Sequence, residues 1–127
     1  MTDLLATVTL RRALDAPAAA RDFVSEQLAA AGVEELVPDA TLLVSELVTN
    51  AVVHTECPVV EVELCAGEGR VRCAVVDGDP QNPPEWQPFD TSVVGGLGLR
   101  IVAATADSWG VETRERAKRV WFELRPG

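Results

Sequence analysis

The chain predicts an α+β fold: a two-layer sandwich in which a mostly antiparallel, mixed sheet is covered on one face by helices. Three observations carry that expectation. The elements run strand, helix, helix, strand, strand, helix, strand, strand, which is not the strict alternation of a parallel α/β sheet. Two β-branched runs, Pro58 to Leu64 and Arg70 to Val76, are separated by Gly67-Glu68-Gly69, a hairpin signal. The long helical segment before them carries Leu43, Val44, Leu47, Val48, Ala51 and Val52 on one side, an apolar face wide enough to bury against a sheet.

Each element has a local reason. Ala6-Thr7-Val8-Thr9-Leu10 alternates and reads as the first strand. Asp15-Ala16-Pro17 starts a helix with Pro just inside the first turn, and the helix runs from about Ala18 to Ala31, buries Phe23, Val24, Leu28 and Ala31, and ends at Gly32. Pro38-Asp39 opens the second helix, which continues to about His54. After the hairpin, a loop rich in Pro and polar residues spans Asp77 to Val94. Gly95-Gly96-Leu97-Gly98 leads into a third helix, about Leu99 to Ala106, and two strands close the chain near Ser108 to Thr113 and Lys118 to Leu124. The spacing shows no repeat and no low-complexity tract.

The 127 residues read as one domain over 1–127, large enough for a single core. Hydrophobic residues make up 47% and charged residues 24%, as in soluble globular proteins. With 20 acidic against 11 basic residues the net charge is −9, a field that repels phosphate backbones and anionic lipids. Nucleic acid and membrane are therefore not expected as partners. No uninterrupted apolar run reaches the roughly 18 residues of a membrane span. Asp3 comes early and Arg11-Arg12 follow the apolar residues, which is not a signal-peptide pattern, so a cytoplasmic location is expected. Cys57, Cys65 and Cys73 show no C-x-x-C pairing; reduced thiols are expected rather than a disulfide or a zinc site.

Three constellations carry chemistry. In the second helix Glu46, Asn50 and His54 recur every four residues and share a stripe flanked by Ser45 and Thr49, with no Lys or Arg among them. A carboxylate, an amide and an imidazole in line suit a site that orients a hydroxyl, ligates a hard cation and touches an anion; a half-buried helix with a few aligned polar residues reads the same way. Asp77 ends the apolar run Cys73-Ala74-Val75-Val76, where a buried carboxylate needs a donor such as an exocyclic amino group. Gly78 would let a planar ring approach the backbone, although Asp77-Gly78-Asp79-Pro80 also suits a plain turn. Gly95-Gly96-Leu97-Gly98 at a helix start fits a phosphate cradle or a flexible connector. It is neither a Walker loop nor a dinucleotide fingerprint.

The joint order of these segments resembles the Bergerat-fold (GHKL) ATP-binding domain of gyrase-type topoisomerases, heat-shock chaperones, sensor histidine kinases and mismatch-repair ATPases. It is closest to the small single-domain branch of anti-sigma-factor serine/threonine kinases. Glu46-Leu47-Val48-Thr49-Asn50-Ala51-Val52-Val53-His54 resembles the N box, Val76-Asp77-Gly78-Asp79-Pro80 the first G box, and Gly96-Leu97-Gly98-Leu99-Arg100-Ile101-Val102 the second. Ala106-Asp107-Ser108-Trp109-Gly110-Val111 and Lys118-Arg119-Val120-Trp121-Phe122-Glu123-Leu124 continue in the same manner. The resemblance implies ATP and Mg²⁺ as cofactors. By it, Asn50 holds the metal, Glu46 is the catalytic base, Asp77 and Gly78 receive adenine, and Gly96, Leu97, Gly98 and Leu99 wrap the phosphates. His54 falls within reach of the phosphate end if the site is short, or else makes a structural hydrogen bond. Asp79 replaces the first box's second glycine, Ala117 stands where relatives often have Gly, and Arg119 stands where they often have Thr. Arg119 is then either a compensating cation at the nucleotide or a residue that points outward.

The resemblance implies an ATP/Mg²⁺-binding regulator that phosphorylates a small anti-sigma antagonist protein. The alternative is a non-catalytic module that sequesters a sigma factor with ATP as a structural ligand. Kinases of this kind often pair as homodimers. The only histidine lies in the N box, so no separate phosphoacceptor is expected.

Overall fold

The computed structural model describes residues 4–54, 56–67, 69–78, 87–88, 99–114 and 117–126. Its element order is β1 (Leu4–Arg11), α1 (Ala16–Ala31), a 3-10 turn (Glu34–Leu36), α2 (Val37–His54), β2 (Val59–Gly67), β3 (Arg70–Asp77), β4 (Gln87–Pro88), α3 (Leu99–Thr105), β5 (Ser108–Arg114) and β6 (Ala117–Leu124). The expected α+β sandwich is what forms. The six strands lie in the order β1-β2-β3-β6-β5-β4, and every described pair is antiparallel.

Local chemistry sets the boundaries. Pro occupies the first turn of α1, while Gly32 stops the helix in the left-handed region, at φ 76°, with its N–H turned back to Ala29 and Leu28. The Asp15 side chain makes no capping hydrogen bond, so Pro17 and Gly32 punctuate this helix more firmly than the acid does. The β2–β3 turn is closed by Gly69 at φ 77°, a conformation that suits glycine. The 3-10 turn and the two-residue β4 have no counterpart in the sequence reading. Of the stretch read as a loop from Asp77 to Val94, only Asp77, Gly78 and β4 belong to the described residues.

Strand alternation decides what each face of the sheet does. Val60, Val62 and Leu64 of β2, Val71, Cys73 and Val75 of β3, and Val120, Phe122 and Leu124 of β6 point to the helix side and are buried. Against them pack Val24 and Leu28 of α1, Leu43, Val44, Leu47 and Val48 of α2, and Val102 of α3. The segment Glu34–Val53 is long and apolar enough, by length and composition, to cross a membrane. Its fold explains that composition: α2 packs beside α1 on the sheet, against β3 and β6, and supplies much of the core. Cys73 sits in this core, and burial, helped by the charge of Glu63, pushes its thiol well above the ordinary range. None of the three cysteines is in a disulfide.

The opposite face of the sheet is polar and cross-linked by charge. Arg119 reaches Glu63 on β2 at 3.1 Å and Glu112 on β5 at 3.6 Å. Glu123 takes Arg125 at 3.1 Å and Arg70 at 3.8 Å. Arg72 lies over the Trp121 ring, 4.1 Å from its centroid. The ring itself rests on Gly110, its cross-strand partner. A Cβ at Gly110 would stand 2.8 Å from Trp121 Nε1 and 2.9 Å from Cε2 and Cζ2. Gly110→Ala should therefore push the indole off the sheet and destabilise the fold by about 1–2 kcal/mol, the scale of overpacking. Urea denaturation reads this as a lower midpoint; an unchanged midpoint would mean that the indole moves aside freely.

Candidate functional site

The site begins with the outward stripe of α2. Glu46 and Asn50 are one turn apart and half-buried, while Leu42, Thr49 and Val53 beside them are exposed. The helix shows this stripe because its other side is consumed by the core. Ser45, at the edge of the stripe, accepts from Arg21 Nη1 on α1 at 2.8 Å and so ties the two helices together. His54 is the last residue of α2, and its side chain lies outside what the structure describes.

Three hydrogen bonds link the end of α2, through the connection that follows it, to the end of β3. Arg12 donates from Nη1 to the Val52 carbonyl at 3.3 Å, in the last helical turn, where a cation offsets the helix dipole. The Arg12 N–H also donates to Pro58 O at 2.9 Å, which fixes the connection leaving the helix. From that connection the Cys57 thiol donates to the Gly78 carbonyl at 3.3 Å. Gly78 itself stands at φ 104°, a conformation that side-chain-bearing residues rarely adopt. Cys57 is therefore a clamp on the turn after Asp77, a role that its sequence neighbourhood does not signal.

Asp77 closes β3 on the helix side of the sheet. Its cross-strand partners are Val60 on β2 and Lys118 on β6. Lys118 Nζ lies 3.9 Å from Asp77 Oδ2, with the carboxylate 13% and the lysine 28% exposed. Only the strand alternation decides which basic residue stands here. Lys118 shares parity with Val120, Phe122 and Leu124, so it projects beside Asp77. Arg119 has the opposite parity and lies on the far face, held between Glu63 and Glu112. Of the two readings of Arg119, its ion pairs fit the one in which it points away from the site: its guanidinium is engaged on the other side of the sheet. Lys118 is the residue that sequence reasoning missed, although the alternation of the closing strand carries the signal.

Leu99 opens α3 and is buried, with its side chain in the core beside Val102. Any contact it makes with an anion must come from the backbone. α3 packs against α2 and β5, which sets its start on the same side of the sheet as Asp77. Gly96, Leu97 and Gly98, and the substituted Asp79, lie outside the described residues.

The donor set fits a hard divalent cation held mainly by a ligand's phosphates. Among the described residues no group of three or more His, Cys, Asp or Glu gathers into a cage. Mg²⁺ keeps several waters and commonly takes few protein oxygens beside substrate phosphates, and the Asn50 side-chain oxygen is of the right kind.

Comparison with known proteins agrees with this architecture. Among solved structures, the RsbU and RsbW domains of Rv1364c from Mycobacterium tuberculosis match with a TM-score of 0.71 at 21% identity, over 96% of this chain and 32% of that one. The chain thus spans about a third of the structure that it matches, and at that identity the likeness carries the fold. No curated protein matches the chain. A model of the histidine kinase-like ATPase domain matches residues 10–124, nearly the whole length of the sheet and helices described above. The chain belongs to the histidine kinase-like ATPase domain family, and its fold is a nucleotide-binding one.

Proposed function

We propose that this domain binds ATP with Mg²⁺ and acts as a serine/threonine kinase on a small antagonist protein of a sigma-factor pathway. The observation that supports the reading is that three features belong to elements on the helix side of the sheet. These are the Glu46–Asn50 stripe of α2, the Asp77–Gly78 turn at the end of β3, and the start of α3 at Leu99. Support for the partner class comes from the resemblance of Glu46 to His54 and of Gly96 to Val102 to the motifs of anti-sigma-factor kinases.

Each residue has a role in this reading. Asp77 accepts from the exocyclic amino group of adenine, and Gly78 leaves room for the ring. The Asn50 oxygen holds Mg²⁺, which supplies neutralisation of phosphate charge when bound. Backbone amides from Gly96 to Leu99 wrap the phosphates. Glu46 accepts the proton of an acceptor hydroxyl while that oxygen bonds to the γ-phosphorus; the bond from the γ-phosphorus to its bridging oxygen breaks, and ADP departs with that electron pair. The net charge of −9 gives a triphosphate no overall attraction to the chain. Metal and amides therefore carry the anion, and binding depends on Mg²⁺.

Calorimetric titration of the full chain with ATP tests this, with and without excess Mg²⁺. Binding that requires the metal and exceeds that of adenosine is the expected result. Equal binding of ATP and adenosine would remove the phosphate and metal contacts from the reading. No binding of either would overturn it.

A further inference from the structure

Asp77 is not the only polar group at the base end. Lys118 stands beside it on the same face of the sheet, paired in register, with Nζ 3.9 Å from Asp77 Oδ2. That separation is an ionic contact longer than a hydrogen bond, so the carboxylate does not fix the ammonium group in one orientation. A lysine carries three donors, and an ionised carboxylate has about four acceptor positions. One carboxylate can therefore hold both the ammonium and a ligand's amino group, while the ammonium keeps donors for the ligand. On β5 the cross-strand neighbour of Lys118 is Thr113, a short side chain. The Lys118 side chain is 28% exposed, so it is not sealed in the core.

The edge of adenine is the complement of such a pair. Its exocyclic amino group donates, and the ring nitrogens on either side of it, N1 and N7, accept. A carboxylate with an ammonium next to it presents an acceptor and a donor at neighbouring positions. We propose that Lys118 is a second reader of the purine base, donating to a ring nitrogen beside the amino group that Asp77 accepts. This inference rests on the ATP-binding reading above and extends it to a residue outside the N box and the two G boxes. It also gives the closing strand a specificity role that Arg119, on the far face, does not have.

The test uses ATP, 1-deaza-ATP and 7-deaza-ATP, in which a C–H replaces one or the other ring acceptor. Affinities are measured with excess Mg²⁺ for the wild type, Lys118→Met and Lys118→Gln. The wild type should bind one of the two analogues roughly tenfold more weakly than ATP, the scale of a lost charge-assisted hydrogen bond. Lys118→Met keeps the length and apolar stem and should bind that analogue and ATP alike. Lys118→Gln retains an N–H donor and should keep part of the discrimination. A lysine that merely neutralises Asp77 predicts something different: all nucleotides weaken together in Lys118→Met and their ratios stay fixed. Fixed ratios, or a wild type that discriminates against neither analogue, would overturn the proposal while leaving ATP binding intact. A wild type that binds no ATP overturns the underlying reading and this inference with it.

Discussion

Glu46→Gln should lower phosphoryl transfer to the cognate antagonist protein by about 10²–10⁴-fold, the range for losing a general base. ATP affinity should barely change. The substitution keeps the length of the side chain and its hydrogen-bonding capacity, and removes the negative charge that accepts the proton. Glu46 is half-buried on the outward stripe of α2, one turn from Asn50, so the helix should tolerate the amide without repacking. The metal ligand in the proposed arrangement is Asn50, and this is why binding and transfer should separate. Transfer from γ-labelled ATP and calorimetric affinity, measured in parallel, decide the matter. If transfer survives intact in the variant, Glu46 is not the base. If the wild type transfers nothing yet holds its protein partner equally well in both forms, the domain is a sequestering module and ATP is a structural ligand.

The fold was legible in the sequence because the strong signals were local ones. Gly67-Glu68-Gly69 marked the hairpin, Pro17 and Gly32 bounded α1, and the apolar side of the 37–54 helix announced what it would bury. Elements defined by pairing rather than by pattern escaped. The two-residue β4 exists only through its ladder with β5, and nothing in Gln87-Pro88 favours a strand. The Gly110–Trp121 stack is likewise a product of register, since neither residue shows its partner in isolation.

The site was legible to the extent that its residues lie in continuous motifs. Glu46, Asn50 and Asp77 could be named because each sits at a fixed place in a helix or at a strand end. The two readings of Arg119 differ for a physical reason. Adjacent strand residues face opposite sides, so a one-residue choice between Lys118 and Arg119 moves a cation across the sheet. The parity of Val120, Phe122 and Leu124 contains the answer. A formal charge count does not, because both residues are basic. The hold of Cys57 on the Gly78 carbonyl depends on where the α2–β2 connection returns, a tertiary fact.

Asp77→Asn should weaken ATP binding by roughly 10- to 150-fold, the worth of a hydrogen bond to a charged group. The carboxylate can only accept, whereas the amide can turn an N–H₂ toward the amino group of adenine and oppose donor with donor. The neighbouring Lys118 biases that choice: its ammonium attracts the amide oxygen and leaves the N–H₂ facing the base. Loss of the negative charge also removes the ionic partner of Lys118, but at 28% exposure water compensates much of this, and the fold should tolerate the change. The effect should be specific to the amino group. Purine riboside triphosphate, which lacks that group, should bind the wild type more weakly than ATP does, and Asp77→Asn should bind the two nearly alike. A variant that keeps the full preference for ATP would place the adenine amino group elsewhere and remove Asp77 from the site. A loss shared equally by both nucleotides, with a lowered melting temperature, would instead make Asp77 a structural partner of Lys118 at the open end of the sheet.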